Sequence, residues 1–97
     1  IEPVCQASTL RIDHEGGAPH FLFSNPASKK RERMTVRVSK DACKSWSKGK
    51  VLHEGPAAYS DLTELSDGTL GCLYERGEES AYETIYFAHF KLGWLDR

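Results

Sequence analysis

The sequence has few cysteines, and none of them forms a paired motif. Cys5, Cys43 and Cys72 are widely spaced and odd in number, without any C-x-x-C pair, and the histidines are scattered in the same way. This pattern supports neither a disulfide framework nor a zinc site. We therefore predict buried free thiols, no metal and no cofactor.

Long apolar runs and an excess of one charge are also missing. No stretch approaches the roughly 18 to 20 consecutive apolar residues that a membrane-spanning helix needs, so we predict no membrane span. The 13 basic and 14 acidic residues give a net charge of -1 and are mixed along most of the chain. That balance argues against a nucleic-acid-binding surface.

The length and the first residues indicate part of a larger unit. A chain of 97 residues can form one small domain with a modest core. The opening IEPVCQASTL contains neither a start methionine nor a signal-peptide pattern. We expect a fragment, a processed product or one piece of a larger assembly.

The sequence does contain short strand-like runs separated by turn residues. The run MTVRVS alternates apolar Met34, Val36 and Val38 with polar residues, as a half-buried strand does. Comparable runs cover residues 8–12, 20–24, 50–52, 59–65, 69–75 and 83–90. We predict about seven strands and no helix, an all-β chain that fits either a sandwich or part of a propeller.

One turn distinguishes between these folds. Ser39, Asp41 and Trp46 occupy the positions of the S-x-D-x-G-x-x-W Asp-box hairpin of sialidase-type propellers, which the segment SKDACKSW resembles. Asp41 is suited to accept backbone N–H bonds across the turn, while Trp46 returns on the next strand to pack over it. Cys43 replaces the glycine of the pattern, at a position that commonly needs positive φ.

Further motifs occur in the order found in one family. CQAS, FSNPAS, a basic residue before Arg31, the Asp box, AAYSDL and LYE together resemble the C-terminal third of the exo-sialidases, which are six-bladed propellers. The resemblance implies about two antiparallel four-stranded blades within one domain, residues 1–97. The first blade would cover about residues 1–54, with a degenerate Asp box at 39–46, and the last blade about 55–97. The other blades, or self-association, would complete the fold.

The resemblance implies that Tyr59 is the nucleophile. Sialic acid carries a carboxylate on its anomeric carbon, so a carboxylate nucleophile would approach against like charge, whereas a neutral phenol avoids that repulsion. A phenol with a pKa near 10 needs a base to take its proton. The implied substrate is a sialylated glycoconjugate, hydrolysed with retention, in a secreted or lysosomal-type setting rather than a cytoplasmic one.

The resemblance assigns three more residues. Arg31 corresponds to an arginine that binds the substrate carboxylate through its planar fork, although spacing alone leaves Arg33 as a rival. Glu75 corresponds to a glutamate that orients another arginine, and Gln6 to a glutamine near the outer substituents of the sugar. The remaining arginines, the acid and the base of the family would lie before Ile1, so we expect the isolated chain to be inactive.

Two alternatives from other classes remain open. A noncatalytic carbohydrate-binding β-sandwich would also show about seven short strands, and a repeat-type interaction propeller would use the Asp box for stability alone. The sandwich gives no reason for the ordered motifs around Tyr59, and the interaction propeller is distinguished by whether the full-length protein carries the remaining arginines and acids. The sequence does not distinguish a hydrolase from a trans-sialidase.

Overall fold

The computed structural model describes residues 1–14 and 16–95. These residues form six antiparallel strands in chain order and one short helix. The elements are β1 (Ser8–His14), β2 (Gly17–Pro26), β3 (Glu32–Ser39), β4 (Lys50–Glu64), β5 (Leu70–Arg76), β6 (Thr84–Phe90) and α1 (Leu92–Leu95). The predicted all-β class is confirmed.

The strand β4 replaces two of the predicted strands. Its 15 residues continue through Gly55 and Pro56, where the sequence suggested a break. The part up to Pro56 pairs with β3, and the part from Ala57 pairs with β5. Proline is tolerated because the ladder changes partner at this point. Six strands are therefore present in the described part of the chain instead of seven, and the predicted boundary near residue 54 lies within β4.

The two halves of the sheet have different numbers of strands. The strands β1 to β3 and the first part of β4 form a four-stranded antiparallel ladder, as expected for one blade. The second part of β4, with β5 and β6, forms a three-stranded ladder in the described residues. The division of the chain into two blades stays a prediction, and β4 takes part in both ladders.

A bulge interrupts the pairing of β3 with β4. The register shifts between Glu32 and Met34, and Arg33 between them has a φ of 60°. Residues other than glycine rarely adopt this left-handed conformation. Bulges of this kind bend the strand and redirect the side chains around them.

The sheet curls around a single apolar core. Every strand and α1 contribute to it, so residues far apart in the sequence pack on one concave face. The core consists of Ile12, Leu22, Met34, Val36, Val38, Ala57, Leu62, Leu70, Cys72, Tyr74, Phe90 and Leu95. The short helix, which the sequence did not indicate, closes one end by burying Leu95 and by placing the Trp94 ring 5.5 Å from the Phe90 ring.

The three cysteines are free, as predicted, but only one is fully buried. Cys72 lies in the core, and its burial raises the pKa of the thiol to about 11. Cys5 is half-buried and Cys43 is exposed. The expectation of burial is wrong for Cys43, because it lies at the tip of the turn between β3 and β4.

Candidate active site

A bulge in β4 presents Tyr59 at the surface. The register between β4 and β5 shifts between Ala57 and Ser60, so β4 carries an extra residue where Tyr59 lies. The tyrosine is 50% exposed. Its backbone N–H donates to Glu75 Oε1 at 3.1 Å. Bulges often redirect side chains beside active sites, and here the Glu75 carboxylate satisfies the backbone of the bulged residue.

Arg31 approaches the same tyrosine from the loop before β3. Its guanidinium carbon lies 5.6 Å from the centroid of the Tyr59 ring. Its backbone carbonyl accepts from Ala57 N–H at 3.0 Å, which ties the loop to β4. The side chain donates to the Val4 carbonyl from Nε at 3.2 Å and Nη2 at 2.8 Å, and to the Tyr82 hydroxyl from Nη1. The Tyr82 bond raises the pKa of Arg31.

Arg33 is directed elsewhere. Its Nη1 lies 3.5 Å from Glu54 Oε1, and both side chains are largely exposed to solvent. Arg33 lies on β3 with a φ of 60°, whereas Arg31 lies in the loop before that strand. Of the two arginines that the spacing allowed, Arg31 therefore contacts Tyr59, and Arg33 forms an ion pair with Glu54.

Gln6 pairs with the backbone beside Tyr59. Its Oε1 accepts from Ser60 N–H at 3.1 Å, and its Nε2 donates to the Ser60 carbonyl at 2.9 Å and to the Ala7 carbonyl at 2.7 Å. The amide thus takes the place of a ladder partner for Ser60, next to the bulge. This contact anchors the segment before β1 to β4, close to the predicted nucleophile.

Tyr59, Glu75 and Gln6 border a shallow cleft of about 430 Å³. Its wall combines polar groups from β4 and β5 with apolar groups from β5 and β6. The lining residues are Gln6, Tyr59, Ser60, Asp61, Leu73, Tyr74, Glu75 and Ile85. The cleft carries one exposed phenol and two carboxylates, from Asp61 and Glu75, and the Arg31 guanidinium beside the Tyr59 ring is a cation that can bind an anionic group.

The predicted Asp box has the expected hydrogen bonds. Asp41 Oδ1 accepts from Ser45 N–H at 2.9 Å and from Ser39 Oγ at 2.9 Å, and Ser39 Oγ accepts from Cys43 N–H at 3.0 Å. The bonds from the Ser45 hydroxyl, its backbone and Ser39 lower the pKa of Asp41 to about 2. Ala42 and Cys43 have φ values of 59° and 67°, which confirms positive φ at the position where the motif has glycine.

Trp46 lies in the turn before β4 and not on the next strand, where it was predicted. Its ring lies 6.0 Å from the ring of Phe23 on β2, and 37% of the side chain stays exposed. It borders a separate cavity of about 500 Å³ together with Asp41 and Leu95. None of the residues lining this cavity lines the Tyr59 cleft. The Asp box therefore shapes the turn, at a distance from the cleft.

The turn and the meander of strands agree with a known family. A model of the BNR repeat-like domain matches residues 3–72. The chain belongs to the BNR repeat-like domain family. The match contains the Asp box, Tyr59 and Arg31, and it ends on β5.

Proteins with similar sequences include sialidases. The chain is 40% identical to "Sialidase" of Micromonospora viridifaciens over 97% of this chain and 15% of that protein. It is 35% identical to human "Sialidase-3" over 93% of this chain and 23% of that protein. The chain thus spans less than a quarter of the length of these relatives.

The fold of this chain is similar to that of a solved structure. The intramolecular trans-sialidase from Ruminococcus gnavus, in complex with oseltamivir carboxylate, matches with a TM-score of 0.71 and 24% identity. The match covers 96% of this chain and 23% of that one. At this identity the likeness shows the fold, which is a segment of a sialidase-type β-propeller.

The sequence did not indicate two of the hydrogen-bond partners of Arg31. The Val4 carbonyl is a backbone group, so the residue type at that position does not indicate the contact. Tyr82 lies 51 residues after Arg31. The segment AYET carries no motif that links it to the arginine. In the part of the chain that the structure describes, no cluster of three or more metal-ligating side chains is found, and no helix is long and apolar enough to cross a membrane.

Proposed function

We propose that this chain forms part of an exo-sialidase that releases terminal α-linked sialic acids from glycoconjugates. The observation that carries the proposal is the pairing of an exposed Tyr59, on a bulge, with the guanidinium of Arg31 5.6 Å from its ring. The names of the relatives agree with this substrate class. Because the chain spans less than a quarter of those proteins, the complete site would include groups from other blades.

Tyr59 serves as the nucleophile in this proposal. Its phenol oxygen attacks the anomeric carbon while the bond to the leaving glycan oxygen breaks, and water later displaces the phenol from this tyrosyl glycoside with overall retention. A neutral phenol meets the substrate carboxylate without the repulsion that a carboxylate nucleophile would meet. A base takes the phenol proton and an acid protonates the leaving oxygen, and we assign both to other blades.

Arg31 binds the substrate carboxylate. Its planar guanidinium can offer two parallel N–H groups, which lysine cannot. Its position over the Tyr59 ring brings the carboxylate, and with it the anomeric carbon to which the carboxylate is attached, close to the nucleophile. Positioning of this kind lowers the barrier because the reacting atoms are already aligned.

Glu75 and Gln6 hold the backbone of Tyr59 and of Ser60 through hydrogen bonds. Glu75 accepts from the Tyr59 backbone and remains the predicted partner of an arginine from another blade. Gln6 holds Ser60 through both ends of its amide and lies in the cleft wall. We propose that Gln6 also contacts the outer substituents of the sugar.

The test replaces Tyr59 with phenylalanine in the complete propeller that contains this chain. Tyr59→Phe keeps the ring and removes the nucleophilic oxygen, so turnover of an aryl sialoside is expected to fall by at least about 100-fold with an unchanged circular dichroism spectrum. Tyr86→Phe is the matched control, because Tyr86 is a similarly exposed tyrosine on β6 whose ring packs against Arg76. It should leave turnover unchanged.

Proton NMR of the first-formed sugar anomer tests the stereochemistry. Retention is expected, because attack by Tyr59 and then by water inverts the anomeric centre twice. An inverted first product, or normal turnover by Tyr59→Phe, would exclude a tyrosine nucleophile. Sialoside binding without any turnover by the complete, folded wild-type protein would favour the noncatalytic carbohydrate-binding alternative.

A further inference from the structure

Arg31 is held from two sides by groups that belong to different ends of the chain. The Val4 carbonyl accepts from Nε and Nη2, and the Tyr82 hydroxyl accepts from Nη1. A guanidinium has five N–H donors. Within residues 1–14 and 16–95, these contacts leave one N–H on Nη1 and one on Nη2 without a protein acceptor. Those two N–H groups remain available to donate to a substrate carboxylate.

The loop that carries Tyr82 is held firmly by its own hydrogen bonds. The Glu83 carboxylate accepts from the backbone N–H groups of Glu78, Glu79 and Ser80 at 3.2, 2.8 and 2.8 Å. Tyr82 N–H donates to Ser80 Oγ at 3.2 Å. These bonds make one compact turn between β5 and β6.

The first residue of this loop permits no side chain. A Cβ on Gly77 would lie 1.9 Å from the Ser80 carbonyl oxygen, and Gly77 N–H donates to the Pro56 carbonyl at 3.1 Å. Ala81, which directly precedes Tyr82, is 7% exposed and anchors the loop to the molecule. The Tyr82 backbone therefore has a fixed position relative to β4 and Arg31.

We propose that Tyr82 is a positioning residue for Arg31 and that it fixes the guanidinium in the orientation that binds the substrate carboxylate. An arginine side chain has several rotatable bonds, and each one that binding must immobilise weakens the complex. Two acceptors on opposite sides of Arg31 remove that freedom before substrate arrives. The role rests on the proposed function, since it assumes that Arg31 binds the carboxylate.

The main test is Tyr82→Phe in the complete propeller. This variant keeps the ring and loses the acceptor for Nη1. Because substrate and transition state both carry the carboxylate, we expect KM to rise with little change in kcat, and kcat/KM to fall by about tenfold. The melting temperature should stay within experimental error, since Tyr82 is 60% exposed. Tyr86→Phe again serves as the control with unchanged kinetics.

A second measurement separates positioning from a general structural effect. Free sialic acid and its neutral methyl ester are titrated into the wild type and Tyr82→Phe, with binding followed by ligand-observed NMR. Tyr82→Phe should weaken the binding of sialic acid by about tenfold and leave the binding of the ester unchanged. Only the ionised acid has a carboxylate that can accept both N–H groups of Arg31. Equal weakening of both ligands would overturn the proposal.

A double-mutant cycle with Arg31→Lys completes the test. If Tyr82 acts through Arg31, Tyr82→Phe should cause no further loss of kcat/KM in the Arg31→Lys background. Additive losses of kcat/KM in the double variant would overturn this inference but not the proposed function. The same holds if Tyr82→Phe has wild-type kinetics while Arg31→Lys is impaired. Normal turnover by Tyr59→Phe would instead overturn the proposed function, and this inference with it.

Discussion

At the scale of single residues, location separates two arginines that spacing alone left equivalent. Arg31 lies in the loop before β3, where its backbone carbonyl accepts from Ala57 N–H on β4. Arg33 lies on β3 at the bulge, with a φ of 60°. Arg31 then contacts Tyr59, whereas Arg33 pairs with Glu54 at 3.5 Å on an exposed surface.

This difference predicts opposite sensitivities to lysine. In the complete propeller, Arg31→Lys keeps the charge but loses the planar fork, so kcat/KM for a sialoside should fall by about 10- to 100-fold. Arg33→Lys is the matched control and should change kcat/KM by less than about twofold, because an exposed ion pair contributes little. Steady-state kinetics with one aryl sialoside measures both. A larger loss for Arg33→Lys would mean that the wrong arginine was assigned.

At the scale of elements, the turn between β3 and β4 shows how a degenerate motif keeps its geometry. The side chains of Ser39 and Asp41 bond the turn as the motif requires, even though Cys43 stands in the place of glycine. Cys43 nevertheless adopts a φ of 67°. The hydrogen bonds thus impose a conformation that a residue with a Cβ disfavours by about 1 to 2 kcal/mol.

Cys43→Gly should therefore stabilise the protein. Glycine removes the steric cost at positive φ but has more freedom in the unfolded chain, so the free energy of unfolding should rise by about 0.5 to 1 kcal/mol. Urea unfolding measures the change. Cys43→Ala is the control, because alanine removes the thiol and keeps the Cβ, and it should give no gain. Equal stabilisation by both variants would show that the thiol, and not the backbone angle, is responsible.

At the scale of the whole molecule, the second ladder leaves an apolar face uncovered. Leu73, Ile85 and Phe87 are 47%, 64% and 50% exposed, and the register places Leu73 opposite Phe87 on one face. The Phe87 ring covers the backbone of Gly71, since a Cβ there would meet it at 2.2 Å. In a closed propeller a neighbouring blade would cover such a face, whereas an isolated chain exposes it to water.

We expect a polypeptide of residues 1–97 alone to self-associate and to hydrolyse no sialoside. Exposed apolar side chains beside the outer edge of β6 favour contact between copies, and Tyr59 with Arg31 alone lacks an acid and a base. Sedimentation velocity should show species larger than a monomer, and Ile85→Lys should shift them toward monomer because it places a charge on the apolar face.

Restoring the other blades should restore turnover. Hydrolysis by a pure monomer of 97 residues would contradict the assignment of the missing groups.

The sequence by itself determined the local features of this protein. Alternation and turn residues predicted the positions of β1, β2, β3, β5 and β6, and motif spacing predicted the bonds of the Asp41 turn and the positive φ of Cys43. These features depend on neighbours within a few residues, where side-chain periodicity and hydrogen-bonding groups act directly. The ordered motifs also indicated the family.

The tertiary structure alone decided which distant groups meet. The continuity of β4 through Pro56 depends on a change of ladder partner, and the bulge at Tyr59 depends on how β4 pairs with β5. The contact of Arg31 with Tyr82 joins residues 51 positions apart, because the loop before β3 and the loop after β5 both bond to β4, at Ala57 and Pro56. Periodicity carries no information on such contacts, since they arise from the way the strands and loops pack in three dimensions.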